Sequence, residues 1–266
     1  LKVIFYFSGT GNSLYIAKSL AKMIDSRLVN IENDFLESLD DLDLVGFVYP
    51  IYGSDIPEPM KKFMSKLNPN KEIKTFVVPT MWKFSGDGAM ISKEFLSKNF
   101  IISNAYHVFM PNNISVTKFR WIFPYTNDEI KLKKIISKAD KKTEKISYDL
   151  QNNITKRIGD SKLSHFIGNI QRVPYRKYYK SFKNDVSIDT EKCNGCGSCV
   201  DSCPVKNLVF ENGKVKALGN CVLCLRCYNY CPKTAILYMN VPHLSSRGIP
   251  YRFPNTVVVN ETLRRK

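Results

Sequence analysis

Every cysteine of the 266-residue chain lies between residues 193 and 231, in one pattern written twice. Cys193, Cys196, Cys199, Cys203 and Pro204 are answered 28 residues later by Cys221, Cys224, Cys227, Cys231 and Pro232, so Cys-x2-Cys-x2-Cys-x3-Cys-Pro occurs in tandem. The likeness continues past each proline, where Leu208-Val209-Phe210 corresponds to Ile236-Leu237-Tyr238, so structure repeats along with the cysteines. Between the runs, Asn212-Gly213 signals a tight hairpin. Three thiolates separated by two-residue gaps wrap three corners of a cuboidal 4Fe-4S cluster, and the fourth, before proline, points away to complete the other cluster. Cys193, Cys196, Cys199 and Cys231 are therefore expected to hold one cluster, and Cys221, Cys224, Cys227 and Cys203 the second. Zinc also binds Cys-x2-Cys pairs, but it gives no reason for a third cysteine at the same interval or for the duplicated prolines. Val186, Ile188, Val200, Val205, Val222, Leu223, Tyr228 and Tyr230 are placed to shield the clusters from water.

The first 112 residues follow a different rule. Apolar runs at Val3–Phe7, Leu28–Ile31, Leu44–Tyr49, Ile73–Pro79 and Ile101–Met110 alternate with amphipathic stretches at Ser13–Ile24, Glu58–Leu67 and Gly88–Asn99. Strands apolar on nearly every residue and separated by helices predict a five-stranded parallel α/β sheet, doubly wound and covered on both faces. Its closing helix is expected over Asp128–Gln151, where Leu132, Ile135, Ala139, Thr143, Ile146 and Leu150 recur at helical spacing. The domain then spans residues 1–151, followed by a basic connector at 152–183, the cysteine domain at 184–241 and a tail at 242–266 that carries no chemical signal of its own.

At the carboxyl end of the first strand stands Ser8-Gly9-Thr10-Gly11-Asn12-Ser13, directly before a helix. Hydroxyls, glycines and the amides of a helix N-terminus make an anion nest, here for a phosphate. Asn12 stands where a Walker loop needs lysine, and Leu14 where the dinucleotide fingerprint needs glycine, so neither ATP nor NAD is indicated.

Phe7-Ser8-Gly9-Thr10-Gly11-Asn12-Ser13 resembles the phosphate loop of the flavodoxins, which bind FMN and order their strands 2-1-3-4-5. The resemblance implies two further loops around the flavin ring. Pro50, Ile51, Tyr52 and Gly53 follow the third strand, and Thr80, Met81, Trp82, Phe84, Ser85 and Gly86 follow the fourth, with Trp82 or Phe84 as stacking candidates. Asp87 in that loop is read as a turn residue. The chain departs from the flavodoxins in lacking the acidic cluster that often lines their site. The cysteine segment is similar to the bacterial-type ferredoxins with two 4Fe-4S clusters, and the whole chain resembles fused flavodoxin-ferredoxin proteins, common in anaerobic bacteria and archaea. Electron transfer is what this family implies.

A cluster exchanges single electrons while a flavin holds one or two, so a chain with both is suited to relaying electrons between redox partner proteins. Two other readings stay open: an FMN-dependent reductase of a small organic acceptor fed by the clusters, and an iron-sulfur redox sensor. Neither a transmembrane segment nor a signal peptide is visible, and the chain reads as cytoplasmic, where thiols stay reduced and disulfides are not expected. Of the formal net charge of +16, residues 113–183 carry +11. That excess suits an acidic redox partner or an anionic membrane surface better than nucleic acid, although the lysines of Asp128–Gln151 also serve simply to solvate a helix. His107, His165 and His243 lie near no cysteine run or nucleophile and are assigned structural roles.

Overall fold

A computed structural model describes residues 1–33, 38–115, 128–245, 248–254 and 256–263, and divides into two compact units. The first comprises Leu1–Ser8, Asn12–Met110 and Lys134–Tyr175, and the second Gly9–Gly11, Pro111–Lys133 and Arg176–Lys266.

In chain order the elements are β1 (Lys2–Tyr6), α1 (Asn12–Ile24), β2 (Arg27–Asn30), β3 (Leu44–Pro50), α2 (Glu58–Met64), β4 (Ile73–Met81), β5 (Phe100–Ala105), β6 (Val108–Phe109), α3 (Glu129–Gln151), β7 (Lys156–Arg157) and α4 (Lys162–Phe182). They are followed by β8 (Val186–Ile188), α5 (Ser198–Asp201), β9 (Leu208–Glu211), β10 (Lys214–Ala217), α6 (Arg226–Tyr230), β11 (Ile236–Tyr238) and α7 (Thr256–Leu263). The main sheet runs β2-β1-β3-β4-β5 with every pair parallel, the order expected from the apolar strands. Val3, Ile4 and Phe5 of β1, Val45, Phe47 and Val48 of β3, and Phe76, Val77 and Val78 of β4 are buried on both faces. A Cβ on Gly46 of β3 would run into the Phe76 ring, so one strand leaves room for the aromatic side chain of its neighbour.

Three local expectations are corrected. The fifth apolar run is two strands: β5 ends at Ala105 and β6 pairs separately with the end of β4, while β7 adds to the far side of β5. The helix expected over Gly88–Asn99 is only a 3₁₀ turn at Met90–Glu94. Its backbone acceptors are engaged elsewhere, Gly88 O by the Tyr49 hydroxyl at 3.1 Å and Ala89 O by the Ser92 hydroxyl at 2.7 Å, which competes with the α-helical ladder. In place of a connector, residues 162–182 form α4 even though Pro174 lies inside it. The closing helix, by contrast, begins as the sequence indicates. Asp128 Oδ1 accepts the N–H groups of Ile130 and Lys131, both at 3.0 Å, and caps α3. No helix among the described residues is long and apolar enough to cross a membrane.

His107 follows β5 in the first unit. Its Nε2 accepts the Ala89 N–H at 3.3 Å, with the Ser85 hydroxyl 3.2 Å from the same nitrogen. Burial lowers its pKa to about 4, with Lys142 pushing the same way and Asp87 opposing. The unfolded chain therefore binds this proton more readily than the folded one, so stability falls as pH drops from about 6.5 towards 4. Denaturant unfolding should show a loss of roughly 3 kcal/mol across that window from this group. His107→Gln should flatten the slope, and an unchanged slope would contradict the assignment.

Candidate functional site

In the first unit, three loops meet at the carboxyl edge of the sheet, where open α/β folds bind ligands. Ser8 and Ser13 are buried on either side of the first loop, and Asn12 opens α1. The Ser13 and Thr80 hydroxyls lie 2.7 Å apart, joining the first loop to the third. The Ile51 N–H donates to Thr80 O at 2.9 Å, joining the second to the third. Pro50 closes β3, and Tyr52 and Asp55 exchange backbone hydrogen bonds of 3.0 and 3.1 Å around a turn in which Gly53 and Ser54 have φ of 58° and 59°. Met81 ends β4, Trp82 is half-buried, Phe84 is exposed and Ser85 is buried.

The second and third loops are packed by α4, which the sequence pattern missed. A Cβ on Gly53 would stand 2.6 Å from the Tyr175 side chain, and one on Gly86 2.5 Å from the Gly168 nitrogen. Both glycines also have positive φ, 58° and 54°, so conformation and close approach demand the same residue. Asp87 is fully buried and is more than a turn residue. Its Oδ1 accepts Arg172 Nη1 at 2.7 Å and its Oδ2 accepts Arg172 Nη2 at 3.0 Å, while His165 Nδ1 lies 2.6 Å from Oδ2. Arg172 Nη1 also reaches Ser54 O at 3.0 Å, and the Ser54 hydroxyl donates to Gln171 at 2.9 Å. His165 thus has the structural role expected of it, as does His243, which bonds Ser115 and Gly248 O.

In the second unit the cysteines line two cavities. One, of about 450 Å³, is lined by Cys203, Cys221, Cys224 and Cys227, with Val186, Val205, Val222, Leu223 and Tyr228 among its walls. The other, of about 320 Å³, is lined by Cys193, Cys196, Cys199 and Cys231, with Val215, Ala235 and Ile236. Each cavity collects three cysteines of one run and the last of the other. Backbone amides turn towards the sulfurs: Asn207 N–H to Cys203 at 3.1 Å, Ala235 N–H to Cys231 at 3.2 Å and Leu223 N–H to Cys221 at 3.3 Å. Asn207 and Ala235 each stand four residues past their cysteine, so the repeat marks these donors as an equivalent pair. Leu223 and Leu225 accept left-handed backbone conformations, φ 57° in both, to bend the second run.

Burial raises the Cys221 thiol to about 12, with Cys224 and Cys203 adding to the rise. Burial likewise raises Cys199 to about 11, helped by Cys231 and Cys193, and lifts Cys227 well above its usual range. Hydrogen bonding from Ser198 lowers exposed Cys196. Crowded thiolates in apolar pockets repel one another, and a cationic iron core relieves that repulsion. Among the described residues no three such side chains converge on a single-ion site. Four sulfurs spread around a cavity suit a polynuclear core, whereas zinc draws its sulfurs to about 2.3 Å.

The second unit also contains Gly9–Gly11. Arg226 Nε donates to Gly9 O at 3.2 Å and its Nη1 to Ser202 O at 2.8 Å, while the Tyr230 hydroxyl donates to Thr10 O at 2.9 Å. Asn113 Nδ2 donates to the Thr10 hydroxyl at 2.9 Å. With both carbonyls engaged this way, the donor set of the loop suits a phosphate. Gly11 has φ 102°, and a Cβ there would stand 3.0 Å from Phe253 and from Val258, so the tail packs onto this loop within the second unit. Arg226 was legible only as a break in the repeat, since Leu225-Arg226 replaces the Gly197-Ser198 of the first run. Of the tail, Ser246, Arg247, Asn255 and residues 264–266 lie outside the described residues.

Residues 3–145 match the family model for a flavodoxin domain, and residues 185–232 that for a 4Fe-4S dicluster domain. The chain is similar to an uncharacterised ferredoxin of Methanocaldococcus jannaschii, with 43% identity over 58 residues that cover 20% of this chain and 75% of the relative. It is also similar to Ferredoxin-2 of Desulfomicrobium norvegicum, 55% identical over 29 residues covering 11% of this chain, and there it spans 49% of the relative's length. Among solved structures, a flavodoxin from the domain Archaea aligns with 13% identity and a TM-score of 0.34, covering 55% of this chain and 97% of that one. With a family model spanning more than half of its residues, the chain belongs to the flavodoxin-domain family and carries a ferredoxin-type 4Fe-4S dicluster domain on the same polypeptide.

Proposed function

We propose that the protein is an electron relay that holds FMN and two 4Fe-4S clusters and exchanges electrons with redox partner proteins. The observation that carries this reading is the division of eight cysteines into two four-thiol cavities within a chain that also has a flavodoxin domain. Cys193, Cys196, Cys199 and Cys231 ligate one cluster, and Cys203, Cys221, Cys224 and Cys227 the other. When bound, these groups supply one-electron exchange at iron and one- or two-electron storage at flavin.

The residues of the chain bind and orient them. Ser8, Thr10, Gly11, Asn12 and Ser13 hold the FMN phosphate, the hydroxyls donating where the α1 N-terminus favours negative charge. Pro50, Ile51, Tyr52 and Gly53 border one side of the ring, and Thr80, Met81, Trp82, Phe84, Ser85 and Gly86 the other. The amides of Asn207, Leu223 and Ala235 donate to sulfur and stabilise the added negative charge of the reduced state, which raises the potential. The basic residues 113–183 favour an acidic partner surface.

Anaerobic reconstitution with iron, sulfide and FMN, followed by spectroelectrochemistry, tests the relay. The expected protein binds about one FMN and about eight irons per chain, and a low-potential reductant bleaches flavin and cluster bands in the same molecule. A protein that takes up iron but no FMN, or whose flavin stays oxidised while the clusters reduce, is not this relay.

A further inference from the structure

The amphipathicity of α4 is inverted. Its inward face is small or polar: Ser164, Gly168 and Arg172 meet Gly86, Asp87 and Ser54 of the first unit. Its outward face carries Leu163, Phe166, Ile170 and Val173, exposed by 66, 65, 59 and 62%. Spacings of three, four and three put these four side chains in one stripe along the helix. A helix laid on a folded domain ordinarily buries such a stripe and exposes its charges, so this one lacks an apolar neighbour.

The charges of α4 define that neighbour. Residues 162–182 contain no Asp or Glu but do contain Lys162, Arg172, Arg176, Lys177 and Lys180. Lys162 and Arg176 are exposed on one flank of the stripe, and Lys177 is exposed one turn beyond Val173, in line with it. A second copy of the chain placed here would set cation against cation, with no carboxylate from either helix to answer.

We propose that this face of α4 docks on an anionic lipid bilayer. Leu163, Phe166, Ile170 and Val173 enter the boundary between headgroups and acyl chains, while Lys162, Arg176 and Lys177 meet lipid phosphates. The side chains used are separate from the FMN loops and the cysteines, so the inference stands or falls independently of the relay.

The test is co-sedimentation of the full chain with vesicles of phosphatidylcholine alone and of phosphatidylcholine mixed with phosphatidylglycerol. The parent is expected to partition onto the mixed vesicles. F166E/I170E, which alters two exposed side chains, should weaken that partitioning at least tenfold without shifting the unfolding curve. K138E/K141E on the outer face of α3 changes the net charge more but leaves the stripe intact, and should weaken binding less. Equal binding to both vesicle types, no binding to either, a stripe variant that binds like the parent, or an α3 variant that loses as much overturns the proposal. So does a concentration-dependent dimer abolished by F166E/I170E, which would assign the stripe to a second copy. Retention on poly-glutamate lost in the same variant, without vesicle binding, would assign it to an acidic protein and equally overturn the lipid docking.

Discussion

Replacing Cys203 with serine should empty the cavity lined by the other cysteine run and spare its own. Cys203 follows Cys199 by four residues, yet it lines the cavity of Cys221, Cys224 and Cys227, while Cys231 lines that of Cys193, Cys196 and Cys199. In the reconstituted protein Cys203→Ser should therefore keep about four of about eight irons, as should Cys221→Ser. The combinations separate crossed from uncrossed ligation, because residues acting on one site are not additive. Cys203→Ser with Cys221→Ser should lose little more iron than either change alone, whereas Cys203→Ser with Cys193→Ser should lose nearly all of it. Iron and sulfide analysis with low-temperature EPR reads both outcomes. The reverse pattern, with Cys203 and Cys193 forming the non-additive pair, would place each cluster within a single run.

Arg172→Ala should be among the most destabilising single changes in the first unit. Asp87 is 0% exposed and Arg172 3%, and two parallel N–H···O contacts join them, so removing the guanidinium strands a carboxylate where water does not reach. Breaking a buried pair from one side costs about 3–5 kcal/mol, whereas replacing both partners with apolar groups of similar volume is often close to neutral. Urea unfolding should place Arg172→Ala well below the parent and below Asp87→Leu combined with Arg172→Leu. Hydrogen exchange should quicken at α4 in the single variant. A cost below about 1 kcal/mol would show that the pair behaves as a solvent-exposed one. Gly168→Ala should act in the same direction, since a Cβ at that position collides with Asp87 Oδ1.

The sheet could be read from the sequence because its strands are apolar on both faces, and only a parallel sheet covered by helices buries a run such as Val45 to Val48 completely. The hairpin was equally legible. Asn212 and Gly213 both adopt positive φ, 50° and 75°, and Glu211 pairs with Lys214 across the turn. The cysteines carried their grouping in their intervals. What stayed hidden were interactions in which side chains take over backbone partners or pair across long separations. Nothing within Gly88–Asn99 announces that Tyr49, far back in β3, takes Gly88 O from the helical ladder. Likewise, α4 hides behind Pro174 and behind a stripe that periodicity would assign to the core, while its actual anchor is an arginine pairing with a carboxylate 85 residues earlier. Arg226 and Tyr230 escaped for the same reason, since their acceptors at Gly9 and Thr10 lie more than 200 residues away.

The interleaving of the two units bears on how the polypeptide can be made and rearranged. Gly9–Gly11 leaves the ribosome among the first residues, while Arg226, Tyr230 and Phe253, its neighbours within the second unit, emerge only near the end of translation. That loop must wait for almost the entire chain before its carbonyls find their donors. For the same reason, splitting the gene between residues 133 and 176 separates Gly9–Gly11 and Pro111–Lys133 from Arg176–Lys266, so the two halves cannot be exchanged as self-sufficient cassettes.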